Sequence, residues 1–147
     1  MEPSDYTMTL LSEQSPEKVF ETITNVRSWW SGYYDEKFEG ETAQLNDEFS
    51  FSAGGGAHYS RQKLVEVISG KKVVWLITES ALSFLDKTDE WVGTKVIFEI
   101  SKKGDKTQLK FTHEGLTPEA ECYESCAPAW TQYLQNKLLP ILSPKKI

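Results

Sequence analysis

From Tyr34 to Gly115 the chain is a succession of strand patterns. YDEKFEG (34–40), DEFSFSA (47–53), HYSRQKLVEVI (58–68), KVVWLITES (72–80), GTKVIFEISKK (93–103) and KTQLKFTHEG (106–115) alternate apolar with polar residues or gather β-branched and aromatic ones. Most of the links between them are turn-like: Asn46-Asp47-Glu48, Gly54-Gly55-Gly56, Ser69-Gly70-Lys71 and Lys103-Gly104-Asp105. Links that short cannot carry a crossover, so successive strands must pair as antiparallel hairpins. The longer segment SALSFLDKTDEW (80–91) is expected to fold over the sheet edge.

Helices flank this sheet. Tyr6–Ser12 alternates like a further strand. Ser15 then suits an N-cap, Pro16 the first helical position, and Val19, Phe20 and Ile23 one apolar face. NVRSWWSG, carrying Trp29 and Trp30, reads as a second short helix. After the last strand, Thr117 and Pro118 can start a long helix whose dipole favours Glu119 and Glu121. At helical spacing Tyr123, Cys126, Trp130, Tyr133, Leu134 and Leu138 share one face, with Glu121, Glu124, Gln132 and Gln135 opposite. Pro128 deprives that helix of one bond and should bend or restart it. The fold class is therefore α+β: a curved antiparallel sheet of about seven strands wrapped on one long C-terminal helix, with two short helices between the first two strands. The 147 residues suit a single domain spanning 1–147. One helix cannot cover a sheet of that size, so a gap between the two is expected, of the kind small apolar ligands occupy.

Composition removes several classes. A net charge of -6 with two arginines, Arg27 and Arg61, disfavours nucleic acid, which needs many phosphate contacts. The strip Lys102, Lys103, Lys106 and Lys110 reads as a solvated hairpin tip. No run approaches membrane-spanning length, VVWLI (73–77) being the most apolar. The start MEPSDYTM is not of signal-peptide type, and the two cysteines, Cys122 and Cys126, read as reduced thiols of a cytoplasmic protein. Zinc is disfavoured: Cys122, Cys126, His113 and His58 lack the paired short spacings of a structural site, and an intrahelical disulfide across the cysteines would be strained. Gly54-Gly55-Gly56 lacks the Lys-Ser/Thr pair and the following helix of a phosphate loop and reads as a rim loop. There is no Gly-x-Ser-x-Gly elbow. No cofactor is implied.

The segments SPEKVFETIT with a tryptophan pair soon after, LVEVISGKKVVW, and FTHEGLTPEAECYESCAPAWTQYLQNKLL carry a resemblance to the START-like, helix-grip (SRPBCC) superfamily. Within it the chain resembles the branch named after the activator of heat-shock-protein-ninety ATPase. In that branch a polar, often His-containing turn precedes a Gly-Leu and a helix with a central tryptophan, matched here by His113, Gly115, Leu116 and Trp130. The likeness runs from about Tyr6 to Leu142. It implies a helix-grip fold and a cavity for lipids, sterols, polyketides or other hydrophobic molecules, used by some members for cyclase, aromatase or hydrolase chemistry and by others for transport or sensing. The chain shows no separate N-terminal chaperone-binding domain, which disfavours a chaperone partner. A homodimer remains open.

Strand parity nominates the cavity residues. Thr107, Leu109, Phe111 and His113 share the inner face of the last strand, Val96, Phe98 and Ile100 that of the one before, and Val73, Trp75 and Ile77 that of the next, with Glu79 following by parity. Taking Val65 and Val67 as inward places Tyr59, Arg61 and Lys63 inside as well, unless a bulge intervenes. The expected ligand-binding set is Trp30, Tyr59, Arg61, Trp75, Phe98, His113, Tyr123 and Trp130. His113, Arg61 and Tyr123 are the candidates for catalysis: an imidazole base, a carboxylate clamp, and a phenol. Against these stand plainer roles: a structural histidine at a strand end, and an arginine paired with a nearby acid. A binding domain without enzymatic activity ranks first, an enzyme second, and a chaperone-modulating surface third.

Overall fold

The computed structural model describes residues 5–142 apart from 27–28, 31–35, 43, 56, 84–85, 87 and 118–122. Seven strands form one antiparallel sheet: β1 (Tyr6–Ser12), β2 (Lys37–Gly40), β3 (Glu48–Ala53), β4 (His58–Ile68), β5 (Lys72–Leu82), β6 (Lys95–Lys103) and β7 (Lys106–Glu114). Their spatial order is β1-β7-β6-β5-β4-β3-β2. Strands β2 to β7 therefore make a pure meander, as the short links dictate, and β1 closes one edge by pairing with β7, Tyr6 opposite His113 and Ser12 opposite Thr107.

Helix α1 (Pro16–Thr24) follows β1. Ser15 caps it by accepting from the Lys18 N–H, Pro16 opens it, and Val19 and Ile23 are fully buried against β6 and β7. The second short helix expected over NVRSWWSG is reduced, in the residues described, to one turn in which the Trp29 and Trp30 N–H groups both donate to the Val26 carbonyl; Arg27 and Ser28 lie outside the described residues.

The C-terminal helix runs as α2 (Tyr123–Gln132), a π-helical segment Tyr133–Leu138 and α3 (Leu139–Leu142). The expected start at Thr117-Pro118 and the acidic first turn fall largely outside the described residues. Pro128 sits inside α2, exposed, and offers no N–H to the Glu124 carbonyl. The wider π turns have a local cause in Pro140, whose ring would crowd the Asn136 carbonyl of a regular α-helix; in the π segment Leu139 instead donates to Leu134, five residues back. The helix end is tied down by the end of β1 and the link after it: Ser12 Oγ donates to the Leu142 carbonyl (2.6 Å) and Gln14 Nε2 to that of Ile141 (2.8 Å), satisfying acceptors the helix leaves orphaned. α1 and the C-terminal helix pack on one face of the sheet, with the core between.

Two irregularities in the β4–β5 pairing, between Arg61 and Gln62 and between Leu64 and Glu66, shift the register. They decide which side chains of β4 face the helix.

Candidate functional site

Where α2 crosses β3 and β4 a cavity of about 240 Å³ remains, walled by the rings of Trp30, Phe51, Trp91, Trp130 and Tyr133 and floored by buried Ala53, with Gly54, Ala57, His58, Cys126 and Ala129 also among the described residues that line it. Exposed Gly54 and half-buried Ala57 and Ala129 form its rim. The aromatic packing has Trp30 at its hub. Trp30 stacks on Phe51 (centroids 4.4 Å apart, planes 20°), leans on Trp130 (4.8 Å, 38°) and lies parallel to Trp29 (5.8 Å, 11°). Offset stacks of this kind add to simple burial, so the wall is stiff.

His113, fully buried, ties the wall together. The Trp130 indole can only donate, and its Nε1–H reaches His113 Nδ1 at 3.1 Å; the neutral ring must then carry its proton on Nε2, which donates to Thr94 Oγ1 at 2.9 Å. The Thr94 hydroxyl in turn donates a hydrogen bond to the Trp91 carbonyl at 2.6 Å. The chain Trp130, His113, Thr94, Trp91 links the helix, β7 and the loop before β6. Burial holds His113 far below the usual imidazole range, at about 3, with His58 adding to the effect; burial likewise holds His58 at about 4. Both are neutral at pH 7. Gly115 completes the junction: its φ is +103°, and a Cβ there would sit 2.6 Å from Thr94 Cγ2, so the His-Glu-Gly sequence admits no larger residue where β7 leaves the sheet.

Of the residues nominated by sequence, Trp30 and Trp130 line the cavity and His113 supports Trp130 from behind. Trp75 and Phe98 face inward yet serve as core, Trp75 edge-on to Phe49 (4.8 Å) and Phe98 edge-on to Trp29 (5.8 Å). Half-buried Tyr123 packs against the same core and does not line the cavity. Tyr59 and Arg61 are corrections: Ser60 and Gln62 pair with inward Phe51 and Phe49, so their neighbours Tyr59, Arg61 and Lys63 face the other side. Arg61 there bonds Glu48 (3.2 Å) and lies 3.9 Å from Glu79, whose own inward parity is reversed by the first register shift. Cys126 is half of a disulfide, against the expectation of free thiols; Cys122 lies outside the described residues. Among the described residues no three His, Cys, Asp or Glu converge as a metal site would require, and no helix is long and apolar enough to cross a membrane.

Sequence reasoning passed over Phe51, Ala53, Ala57, His58, Trp91, Ala129 and Tyr133 as a set. The available signal was the run of small residues Ala53-Gly-Gly-Gly-Ala57 facing a helix that reads Cys-Ala-Pro-Ala, two stretches too small to fill the space between them. A tryptophan in a link between strands, Trp91, was the second signal, since a surface loop has no use for a ring that large.

Residues 13–142 match the family described as activator of Hsp90 ATPase homolog 1-like protein. The chain belongs to this family. Solved structures similar to it share the fold of this Aha1-like group. The solution structure of the Aha1 dimer from Colwellia psychrerythraea is 20% identical with a TM-score of 0.73, the match covering 98% of this chain and 99% of that one. Protein MLL2253 of Mesorhizobium loti is 18% identical (TM-score 0.69; 92% and 96% covered), and CV1439 of Chromobacterium violaceum 17% identical (0.67; 95% and 99%). No curated protein matches the sequence. The helix-grip fold of these Aha1-like relatives agrees with the seven-stranded sheet, the helix after β1 and the C-terminal helix seen here.

Proposed function

We propose that this Aha1-like domain binds a small hydrophobic molecule in the cavity beneath α2. One observation carries the reading: a cavity of about 240 Å³ walled by five aromatic rings, with no Asp, Glu, Lys or Arg among the described residues that line it. Such a site gains by removing apolar ligand surface from water, at about 25 cal/mol per Å². An enzymatic reading through His113 has less support, because both imidazole nitrogens are engaged and burial, by lowering its pKa to about 3, makes the ring a weak base. Arg61 is tied to glutamates on the opposite face of the sheet.

Native mass spectrometry of the purified protein, followed by organic extraction, tests the proposal, together with tryptophan fluorescence as apolar compounds are added. The expected result is a retained molecule or a saturable change in emission, since Trp30, Trp91 and Trp130 all line the site. Absence of both, with the protein folded, overturns it.

A further inference from the structure

We infer that Thr94, which stands behind the cavity wall and outside the residues that line it, is a positioning residue of the site: its side chain sets the pose of Trp91 against Trp130 and so the shape of ligand the cavity accepts. This rests on the binding function proposed above and deepens it.

The two indoles come from different parts of the chain. Trp130 stands on α2 and Trp91 in the link between β5 and β6, yet both line the cavity, their planes 9° apart and their centroids separated by 6.2 Å. Hydrogen bonds through His113 and Thr94 join them, and these bonds can run in one direction only. An indole N–H only donates and a backbone carbonyl only accepts, so Trp130 at one end and the Trp91 carbonyl at the other fix every role between. His113 accepts at Nδ1 (3.1 Å) and donates from Nε2 to Thr94 Oγ1 (2.9 Å), and the Thr94 hydroxyl donates to Trp91 (2.6 Å). Thr94 must therefore accept and donate at once. A valine of the same shape does neither.

The pose of Thr94 is itself fixed. Its backbone N–H donates to the same Trp91 carbonyl (3.0 Å), and its own carbonyl accepts from the Ile77 N–H on β5 (3.0 Å). Its methyl lies where a Cβ on residue 115 would come within 2.6 Å, so the absence of a side chain at Gly115 gives that methyl its seat. A β-branched side chain has few χ1 choices, and seating the methyl there aims the hydroxyl at His113. The His113 ring in turn packs edge-on against Trp91 (4.6 Å, 87°). Without an acceptor at position 94, the His113 Nε2–H would be buried and unmatched. Moving that proton to Nδ1 would set it against the Trp130 N–H, donor to donor. Both states are costly, and relief of either requires His113 to move and Trp130 with it.

The test combines long-range 15N spectra of the histidines with calorimetric titration of neutral probes: naphthalene and chromone, which are flat bicycles, and n-octanol, a flexible chain. In the native protein His113 should carry its proton on Nε2. Thr94→Val should lower the affinity for both bicycles about fivefold, the yield of one net hydrogen bond, and move the Trp130 indole N–H resonance. Octanol should lose less than about twofold, because a flexible chain refits displaced walls and a rigid ring cannot. Thr94→Ser retains the hydroxyl and should bring both bicycles back to within about twofold of the native affinity. A native His113 protonated on Nδ1 overturns the inference, whether or not any variant folds. So does an equal loss for all the probes in Thr94→Val, or a Thr94→Ser no better than Thr94→Val; each of these leaves the broader binding function standing. If no probe of any kind binds the folded native protein, both fall.

Discussion

At its C-terminal end the long helix closes on β1 and α1, with Leu134, Leu138 and Leu142 wholly buried and the last carbonyls fixed by Ser12 and Gln14. At its N-terminal end the same helix presents Cys126 and Ala129 toward Ala53, Gly54 and Ala57, and there the two surfaces fail to meet. Both ends use the same sheet, so the difference lies in side-chain volume: large residues opposite large ones make a core, small opposite small make a cavity. A cavity obtained this way requires no unusual backbone. It requires only that the rest of the helix be held firmly enough for the small residues not to collapse onto one another.

Breaking the filled end should have the largest effect. Leu138→Ala removes a side chain with no exposure and should lower stability by about 2–5 kcal/mol in urea unfolding, while leaving ligand affinity of the folded fraction unchanged. A loss of affinity instead would mean that the two ends are not independent and that the cavity depends on the packing of the π-helical segment.

Acid should act chiefly at the open end, because buried His113 and half-buried His58 lie there. The folded pKa values, about 4 for His58 and about 3 for His113, stand below the unfolded value of 6.5, so the unfolded chain takes up protons first as pH falls. Their contribution is complete above pH 6.5 and declines below it, by about 2 kcal/mol per histidine at pH 5, ahead of the range where ordinary carboxylates titrate. Urea melts at pH 7.5, 6 and 5 measure this, and His58→Gln should remove roughly half of the slope. A flat profile across that interval would mean that the histidines are hydrated and the α2 end is looser than its hydrogen-bond chain implies.

The fold was legible where local rules act without interference. The bounds of β1 and β4, the Ser15-Pro16 helix start and the inward face of β7 all follow from period and capping. The site was legible only in part, because parity arguments carry a single error forward. Reading β4 inward from Val65 and Val67 is sound near Val67, which pairs with Val73, but the register shift between Leu64 and Glu66 reverses every side chain upstream. His58, Ser60 and Gln62 thereby exchanged places with Tyr59, Arg61 and Lys63. A bulge leaves no mark in composition, since its cause is the twist of the sheet around the helix rather than any one residue.

Filling the open end sharpens the comparison at smaller cost. Ala53→Leu places a larger side chain on the cavity floor and should change stability by less than about 1.5 kcal/mol, since space exists to receive it. Binding of any bicyclic probe should fall by at least about tenfold, as the added carbons occupy the ligand's volume. A destabilisation as large as that of Leu138→Ala would show that the two ends are equally packed.

The smallest effect is expected at Arg61, the residue that chemistry alone makes most conspicuous on β4. Its guanidinium bonds Glu48 at 3.2 Å and approaches Glu79 at 3.9 Å, with side chains 41%, 40% and 60% exposed, on the face of the sheet turned away from the helix. Ion pairs that open to water are screened and contribute little. Arg61→Ala should therefore leave the affinity for naphthalene and chromone within about twofold of the native value and preserve the calorimetric signature of binding. A marked loss for an anionic probe such as 2-naphthoate, with the neutral bicycles unaffected, would place a carboxylate clamp on the outer face. Two faces of one sheet would then bind ligands by different physics, burial on the concave side and ion pairing on the other.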